Sequence, residues 1–176
     1  PLERARNTGR LYGTDGIEYR LCSGLSGIRP SEVDTIVIAG MGGLLINEIV
    51  EKGKNKFSDE TRLIIQPMIA QSEVRRYLSE NGFVIEDESL AREGNKIYNI
   101  FLCRKGFEKL SEFDVFVGKR LFEKKGELFK RHMDGKIFTL TKIVEGLKKA
   151  GNGADELEKR EAELGYYLKA RNECDA

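Results

Sequence analysis

The sequence predicts an α/β fold in which a mostly parallel sheet, incomplete at its start, is followed by a helical hairpin. Apolar β-branched runs alternate with segments of helical periodicity through the first half of the chain. Two further apolar runs are separated by a short loop, and only helical periodicity follows Phe107. With 176 residues, 40% of them hydrophobic, the chain can bury one ordinary core plus an appendage. We therefore place a sheet domain at residues 1–107 and a helical domain at residues 108–176.

The first elements lead into a glycine-rich turn. Residues 2–12 have the pattern of a helix that ends at Gly13, and residues 17–21 alternate in polarity like a short strand. Residues 34–38 (DTIVI) suit a buried parallel strand, and residues 44–50 carry apolar side chains at helical spacing. The last two segments form one strand–helix unit.

A second strand–helix unit follows at residues 61–66 (TRLIIQ) and 72–80. In its helix, Ser72 is predicted to act as a cap, while Arg75 and Arg76 are predicted to lie on the surface.

Two further strands are predicted at residues 83–85 and 96–103 (KIYNIFLC). The loop around Gly94 and Asn95 is too short to hold a crossover helix. We therefore expect an antiparallel hairpin, which gives the sheet its one antiparallel strand.

Two amphipathic helices end the chain. The first carries a stripe of Ile137, Leu140, Val144 and Leu147, and the second a stripe of Leu157, Leu164, Tyr167 and Leu168. The break at residues 151–153 (GNG) joins them into an antiparallel pair with a coiled-coil-like seam. Asp155 and Glu158 are predicted to form a capping box at the start of the second helix.

The composition excludes several classes of protein. Cys22, Cys103 and Cys174 are odd in number and widely spaced, which argues against a disulfide framework or a zinc site and favours a cytoplasmic location. No apolar run approaches the ~20 residues of a membrane span. The chain's one histidine, His132, lies in a basic helical stretch, where we expect it to be exposed and structural. We expect no metal site and no imidazole-based catalysis.

The glycine turn, Gly40-Met41-Gly42-Gly43, matches no phosphate-binding motif in full. A dinucleotide fingerprint needs a third glycine where Leu45 stands, and a Walker A loop needs Lys and Ser or Thr after its last glycine. Glycines after a strand let the backbone turn sharply and let a ligand approach main-chain atoms. A tight turn that binds no ligand is the alternative interpretation.

Three linked segments resemble a known family. AGMGG (39–43), LIIQP (63–67) and GFVIEDESLAREGNKIYNI (82–100), in this order and spacing, are similar to the bacterial TrmK-type tRNA adenine-N1 methyltransferases, which modify adenine 22. The terminal helical hairpin matches as well, so the resemblance covers essentially the whole chain. It implies a Rossmann-like class I methyltransferase fold, S-adenosylmethionine as the methyl donor and tRNA as the substrate.

The resemblance also implies a reaction site at the glycine turn. Its catalytic residues would be Gly40, Met41 and Gln66, which would meet the Watson–Crick edge of the target adenine. The cofactor-binding residues would be Ser23, Gly24, Gly40, Met41, Gly42 and Gly43. For Gln66 the alternative is a structural role, in which its amide satisfies loop backbone.

The sequence departs from the family pattern in three places. Ser23 stands where the family has an acidic or amide residue, and Met68 stands where it has asparagine. The family's first strand and its D-x-G-x-D-H-like loop are expected to precede Pro1, as part of two strand–helix units of about 30 residues each. A chain that starts at Pro1 is therefore expected to bind S-adenosylmethionine weakly or not at all and to show no methyl transfer.

Basic residues are the predicted RNA contacts. The segment 119–149 holds ten lysines and arginines against four acidic residues, which suits a phosphate backbone but also an ordinary solvated helix face. The predicted substrate-binding residues are Lys96, Tyr98, Lys119, Arg120, Lys124, Lys125, Lys130 and Arg131. Tyr98 has a core role as its alternative.

Two other functions compete with methyl transfer. The chain could be a non-catalytic RNA- or protein-binding module with a Rossmann-like platform, and cofactor binding would discriminate between the two. A nicotinamide dehydrogenase is disfavoured by the broken glycine fingerprint and the single histidine. The sequence leaves the oligomeric state open.

Overall fold

The computed structural model describes residues 1–151 and 153–174. The strands of the sheet are β1 (Thr35–Met41), β2 (Arg62–Pro67), β3 (Phe83–Glu93) and β4 (Lys96–Lys105). The α-helices are α1 (Leu2–Leu11), α2 (Gly43–Lys52), α3 (Gln71–Glu80), α4 (Glu112–Val117), α5 (Lys119–Lys124), α6 (Glu127–Ala150) and α7 (Ala154–Asn172).

The four strands lie in the order β1-β2-β4-β3. β1 and β2 are parallel, and β4 runs antiparallel to both of its neighbours, β2 and β3. The prediction of a mostly parallel sheet with one antiparallel strand is confirmed. Because the loop at Gly94 and Asn95 is a tight turn, β3 and β4 pair directly as the predicted hairpin.

Alternating apolar side chains place one sheet face against α2 and α3. Ile36 and Ile38 of β1 are buried, whereas Val37 between them is exposed, as the two-residue period of a strand requires. The helices complete this core with Ile46 and Val50 of α2, and with Val74 and Leu78 of α3.

The strand predicted at residues 17–21 is wrong, because this segment has no regular structure. Arg20 donates to the carbonyl of Gly27 at 2.8 Å and pairs with Glu18 and Glu32. The segment is therefore a loop that the contacts of Arg20 stabilise, although its polarity alternates as in a strand.

The surface position predicted for Arg75 is also wrong. Its side chain is 2% exposed, and Nε donates to Glu88 Oε1 at 2.6 Å. Its guanidinium also donates to the carbonyl of Val115 at 3.0 Å and to Asn99 Oδ1 at 3.3 Å. One side chain thus connects α3 to β3, β4 and α4, and no local sequence signal distinguishes it from its partly exposed neighbour Arg76.

Both side-chain caps predicted for the helices are wrong. Ala70, in the left-handed region with a φ of 59°, precedes α3, so Ser72 lies within the first turn. Asp155 likewise lies inside α7, which follows the left-handed Gly153 and has no side-chain cap. The structure has a capping box at α4, where Ser111 and Asp114 exchange hydrogen bonds.

α6 and α7 form the predicted antiparallel hairpin. The ion pairs Asp134–Arg171 and Lys148–Glu161, at 2.8 and 2.7 Å, connect opposite ends of the two helices. Of the predicted stripes, Leu140, Val144 and Tyr167 are buried, but Leu168 is exposed, so its predicted place in the seam is wrong. Asn152 of the connecting loop lies outside the described residues.

A second hydrophobic cluster joins α6 and α7 to α4 and α5 through Val117, Leu121, Met133 and Ala170. The division of the chain at residue 107 stays a prediction. No helix within residues 1–151 and 153–174 is long and apolar enough to cross a membrane.

Candidate functional site at the glycine turn

A bulge at Gly40 shapes the carboxyl end of β1. Ala39 pairs with Gln66 and Met41 with Pro67, so Gly40 is an extra residue with no partner on β2. Its φ of +75° is a conformation that glycine adopts without strain. Because the bulge takes the Gly40 N–H out of the strand ladder, this donor needs another acceptor.

Gln66 supplies that acceptor. Its Oε1 lies 2.9 Å from the Gly40 nitrogen, and its Nε2 lies 3.5 Å from Met68 Sδ, which is a weak acceptor. The structure therefore brings the three predicted catalytic residues, Gly40, Met41 and Gln66, together. The hydrogen bond to Gly40 also fits the alternative interpretation of Gln66, in which its amide satisfies loop backbone.

The two remaining glycines of the turn differ in the space around them. A Cβ at Gly43 would lie 2.6 Å from the Ala70 carbonyl oxygen and 2.7 Å from Val74 Cγ2, so the packing of α2 on α3 requires glycine there. Within the described part of the chain, a Cβ at Gly42 would meet only Ile69, at 3.9 Å, and one at Gly40 would meet nothing within 4 Å. Gly40 and Gly42 therefore leave an open cradle along the backbone.

Exposed apolar side chains border this cradle. Leu44 lies in the first turn of α2, and Met68 and Ile69 lie in the loop after β2. The Met68 N–H donates to the Met41 carbonyl at 2.8 Å, which holds this loop against the glycine turn. The carboxyl ends of two parallel strands thus carry open main chain beside an apolar rim, a common location for ligands in open α/β sheets.

Ser23 and Gly24 lie in the loop before β1. They line a groove of about 220 Å³ with Leu45 and Ile49 of α2, and residues 40–43 are not part of its lining. The segment before them is not a strand, so Ser23 is not at a strand end as predicted. Their assignment to the cofactor site stays a prediction.

The β3–β4 hairpin projects past the end of the sheet at which β1 and β2 finish. Ile65 of β2 pairs with Phe101 of β4, and β2 ends at Pro67, so Lys96 and Tyr98 lie beyond the end of β2. Both are therefore on the side of the sheet that carries the glycine turn. The hydroxyl of Tyr98 donates to Glu93 at 3.3 Å.

Most of the predicted basic RNA contacts have partners within the chain. Lys119 and Arg120 both pair with Glu108, at 2.7 and 2.9 Å, and Lys124 pairs with Asp87. Lys125 donates to the Glu173 carbonyl at 2.8 Å. Lys130 is also engaged, whereas Arg131 is exposed on α6. The contacts of Lys119, Arg120 and Lys124 attach α5 to the linker between β4 and α4 (residues 106–111) and to the sheet.

His132 is half-buried on α6, so its predicted exposure is wrong. Burial, together with the positive charges of Lys136 and Arg75, lowers its pKa to about 3. Burial also lowers the pKa of Lys136, whose Nζ donates to Gln71 Oε1 at 3.2 Å. No group of three or more potential metal ligands occurs in the part of the chain that the structure describes.

Comparison with known proteins identifies the family. The model of the family TrmK, tRNA (adenine(22)-N(1))-methyltransferase, matches residues 1–172. A Bacillus subtilis tRNA (adenine(22)-N(1))-methyltransferase is 31% identical over 143 residues, which are 77% of this chain and 60% of that protein. The chain thus spans less than two thirds of this curated relative.

Solved structures agree with the sequence comparison. A Streptococcus agalactiae protein of the NADB-Rossmann superfamily superposes with a TM-score of 0.87 at 25% identity, over 97% of this chain and 75% of that one. Streptococcus pneumoniae Sp1610 in complex with S-adenosyl-L-methionine gives 0.78 at 30% identity, over 96% and 75%. The fold is a Rossmann-like methyltransferase fold, and the chain belongs to the TrmK family of tRNA (adenine(22)-N(1))-methyltransferases.

Proposed function

We propose that this chain carries the reaction site of an S-adenosylmethionine-dependent methyltransferase that acts on N1 of adenine 22 in tRNA. Family membership supports the reaction, and the S-adenosyl-L-methionine bound to the similar Streptococcus pneumoniae protein supports the cofactor. The proposal concerns the natural protein in its full length, because the chain matches 60% of the Bacillus subtilis relative.

The observation that carries the proposal is the open main chain at Gly40 and Gly42. Apart from the residues directly before and after each glycine, no described atom lies within about 3.9 Å of a Cβ at either position. The cradle fits a ligand that must approach the backbone closely, since neither glycine carries a Cβ. We assign Gly40, Met41 and Gly42 to the floor beneath the cofactor and the target base.

The reaction demands alignment more than proton transfer. S-adenosylmethionine supplies a methyl group that is already activated by its sulfonium leaving group. Adenine N1 has a free lone pair, so the chain needs no strong general base. Its contribution is to hold the two reactants in line and to exclude water from between them.

Gln66 acts on this geometry through Gly40. Its Oε1 accepts the Gly40 N–H and so maintains the bulge that opens the cradle. Among the described residues, its Nε2 has only the Met68 sulfur, at 3.5 Å, as a partner, so this donor is available to an acceptor on the Watson–Crick edge of a base. Met68 and Ile69 provide apolar surface beside it.

The test uses two tRNA transcripts that differ only at position 22. The full-length protein, S-adenosylmethionine and a transcript with A22 should yield 1-methyladenosine, detected by mass spectrometry of the digested RNA. A transcript with G22 should yield none. Methylation of another base, or equal methylation of both transcripts, would refute the assignment. Absence of any methyl transfer would favour the non-catalytic module.

A further inference from the structure

The outer face of α6 carries an aromatic ring among basic side chains. Arg131, Phe138, Lys142 and Lys149 are spaced seven, four and seven residues apart, which places them within a ~60° arc of the helix. Met133, Leu140 and Val144, which are buried, lie on the opposite side. We call Arg131, Phe138, Lys142 and Lys149 the outer α6 face.

The cations of this face differ from the other basic residues of the segment. Lys119, Arg120 and Lys124 pair with carboxylates of the linker and β3. Among the described residues, Arg131, Lys142 and Lys149 form no ion pair within 4.0 Å. Between residues 131 and 149, Glu145 is the one carboxylate in the same arc, so three cations and one carboxylate give the face a net positive charge. A polyanion can therefore bind these cations without first breaking an ion pair.

Phe138 is the unusual member of the face. Its side chain is on a water-exposed helix surface at 63% exposure, and the Lys142 ammonium lies 4.0 Å from the ring centroid. Glycines occupy positions 135 and 146 on the same side, where a Cβ would meet nothing within 4 Å. Glycine inside a helix lowers stability by about 0.5–1 kcal/mol relative to alanine. Gly135 and Gly146 therefore do not stabilise α6, but they leave the surface beside the ring free of side chains.

We propose that the outer α6 face binds the tRNA substrate, with Phe138 stacked on an unpaired base and Arg131, Lys142 and Lys149 on the flanking phosphates. An exposed ring supplies sequence-tolerant stacking, and a row of unpaired cations supplies phosphate contacts. The four side chains extend over about 27 Å of helix, at 1.5 Å per residue. The inference rests on the proposed function, because it takes tRNA as the polyanion.

Stacking is tested by Phe138→Ala in the full-length protein, with a tRNA transcript that contains A22 as the probe. Binding should weaken on the order of tenfold, while the slope of affinity against salt concentration stays unchanged, since no charge is removed. Phe107→Ala is the matched control. Phe107 is 93% exposed but lies outside α6, so its removal should leave the affinity unchanged.

The phosphate contacts are tested by charge changes on the same helix. Lys142→Ala combined with Lys149→Ala should lower the salt slope by about 1.4–1.8, at 0.7–0.9 per contact. Lys148→Ala is the control, because Lys148 pairs with Glu161 on α7. Glu145→Gln should tighten binding, a gain that misfolding does not produce.

The outcomes separate this inference from the proposed function. If wild-type protein methylates A22 but Phe138→Ala, the lysine pair and Glu145→Gln all leave affinity unchanged, the face has another use and the inference fails alone. If the protein binds no tRNA, both fail. If Phe138→Ala changes only the sedimentation of the protein, the face contacts a second copy and the inference is overturned.

Discussion

Replacement of Arg75 by alanine is expected to lower the free energy of unfolding by about 3–5 kcal/mol, the cost of removing one partner of a buried ion pair. Glu88, which is 1% exposed, would lose the guanidinium that neutralises it. The Val115 carbonyl would lose its donor at 3.0 Å. Because the Arg120 N–H still donates to Glu88 Oε2 at 3.2 Å, we expect a value near the lower end of this range.

Arg76→Ala is the matched control, since it removes the same side chain one residue further along α3. Arg76 pairs with Glu112, but the two side chains are 39% and 53% exposed. Solvent-exposed ion pairs contribute about 0–1 kcal/mol, so this variant should stay close to the wild type. The difference between the two variants therefore measures burial rather than charge.

The assay is urea unfolding followed by circular dichroism at neutral pH. A shift in midpoint with an unchanged denaturant slope would report a change in stability alone. If Arg75→Ala and Arg76→Ala unfold at the same urea concentration, then Arg75 is not a buried connection between α3, β3 and α4. The account of how the sheet contacts α4 would then be wrong.

Three further perturbations test the glycine turn and His132. Gly43→Ala should destabilise the chain by about 1–3 kcal/mol through overpacking, whereas Gly42→Ala should stay within about 0.5 kcal/mol, as measured by urea unfolding. Gln66→Leu should accelerate amide hydrogen exchange at Gly40, and Gln66→Glu, which retains an acceptor, should not; equal rates in both would argue against the side-chain contact. The imidazole of His132, the chain's one histidine, should show no NMR titration between pH 8 and 5, because burial lowers its pKa to about 3. In the unfolded chain His132 binds a proton more readily, so stability should fall as pH drops from about 6.5 towards 3. His132→Gln should flatten this pH dependence. Titration of the imidazole near pH 6.5 in the folded protein would contradict the burial of His132.

The sequence predicts the order of the strands and helices because burial sets their periodicity. Val37 between the buried Ile36 and Ile38 shows the two-residue alternation of β1, and Leu140 and Val144 show the helical spacing of α6. Residues 17–21 have a similar alternation, but they form a loop in which Arg20 pairs with Glu18 and Glu32. Local pattern does not distinguish a strand from a loop whose polar side chains pair with each other.

The site could be predicted in part, through the family resemblance. The resemblance predicted that Gly40 and Gln66 belong to one site, and a hydrogen bond connects them in the structure. The different roles of Gly42 and Gly43 depend on how closely α3 approaches α2, and this distance is a tertiary property. The burial of Arg75 depends on Glu88, thirteen residues away, and on the carbonyl of Val115, forty residues away. No local pattern records such contacts.

The most direct test of the central claim is the rate of methyl transfer to A22 by the full-length protein carrying Gly42→Val. The substitution fills the cradle. Apart from Met41 and Gly43, the nearest described residue to the new Cβ is Ile69, at 3.9 Å. We predict that methyl transfer is abolished while the urea midpoint changes little, with Gly165→Val on α7, where an added Cβ also meets nothing within 4 Å among the described residues, retaining wild-type turnover. Unchanged turnover in Gly42→Val would show that the glycine turn serves the fold alone and that the reaction site lies elsewhere.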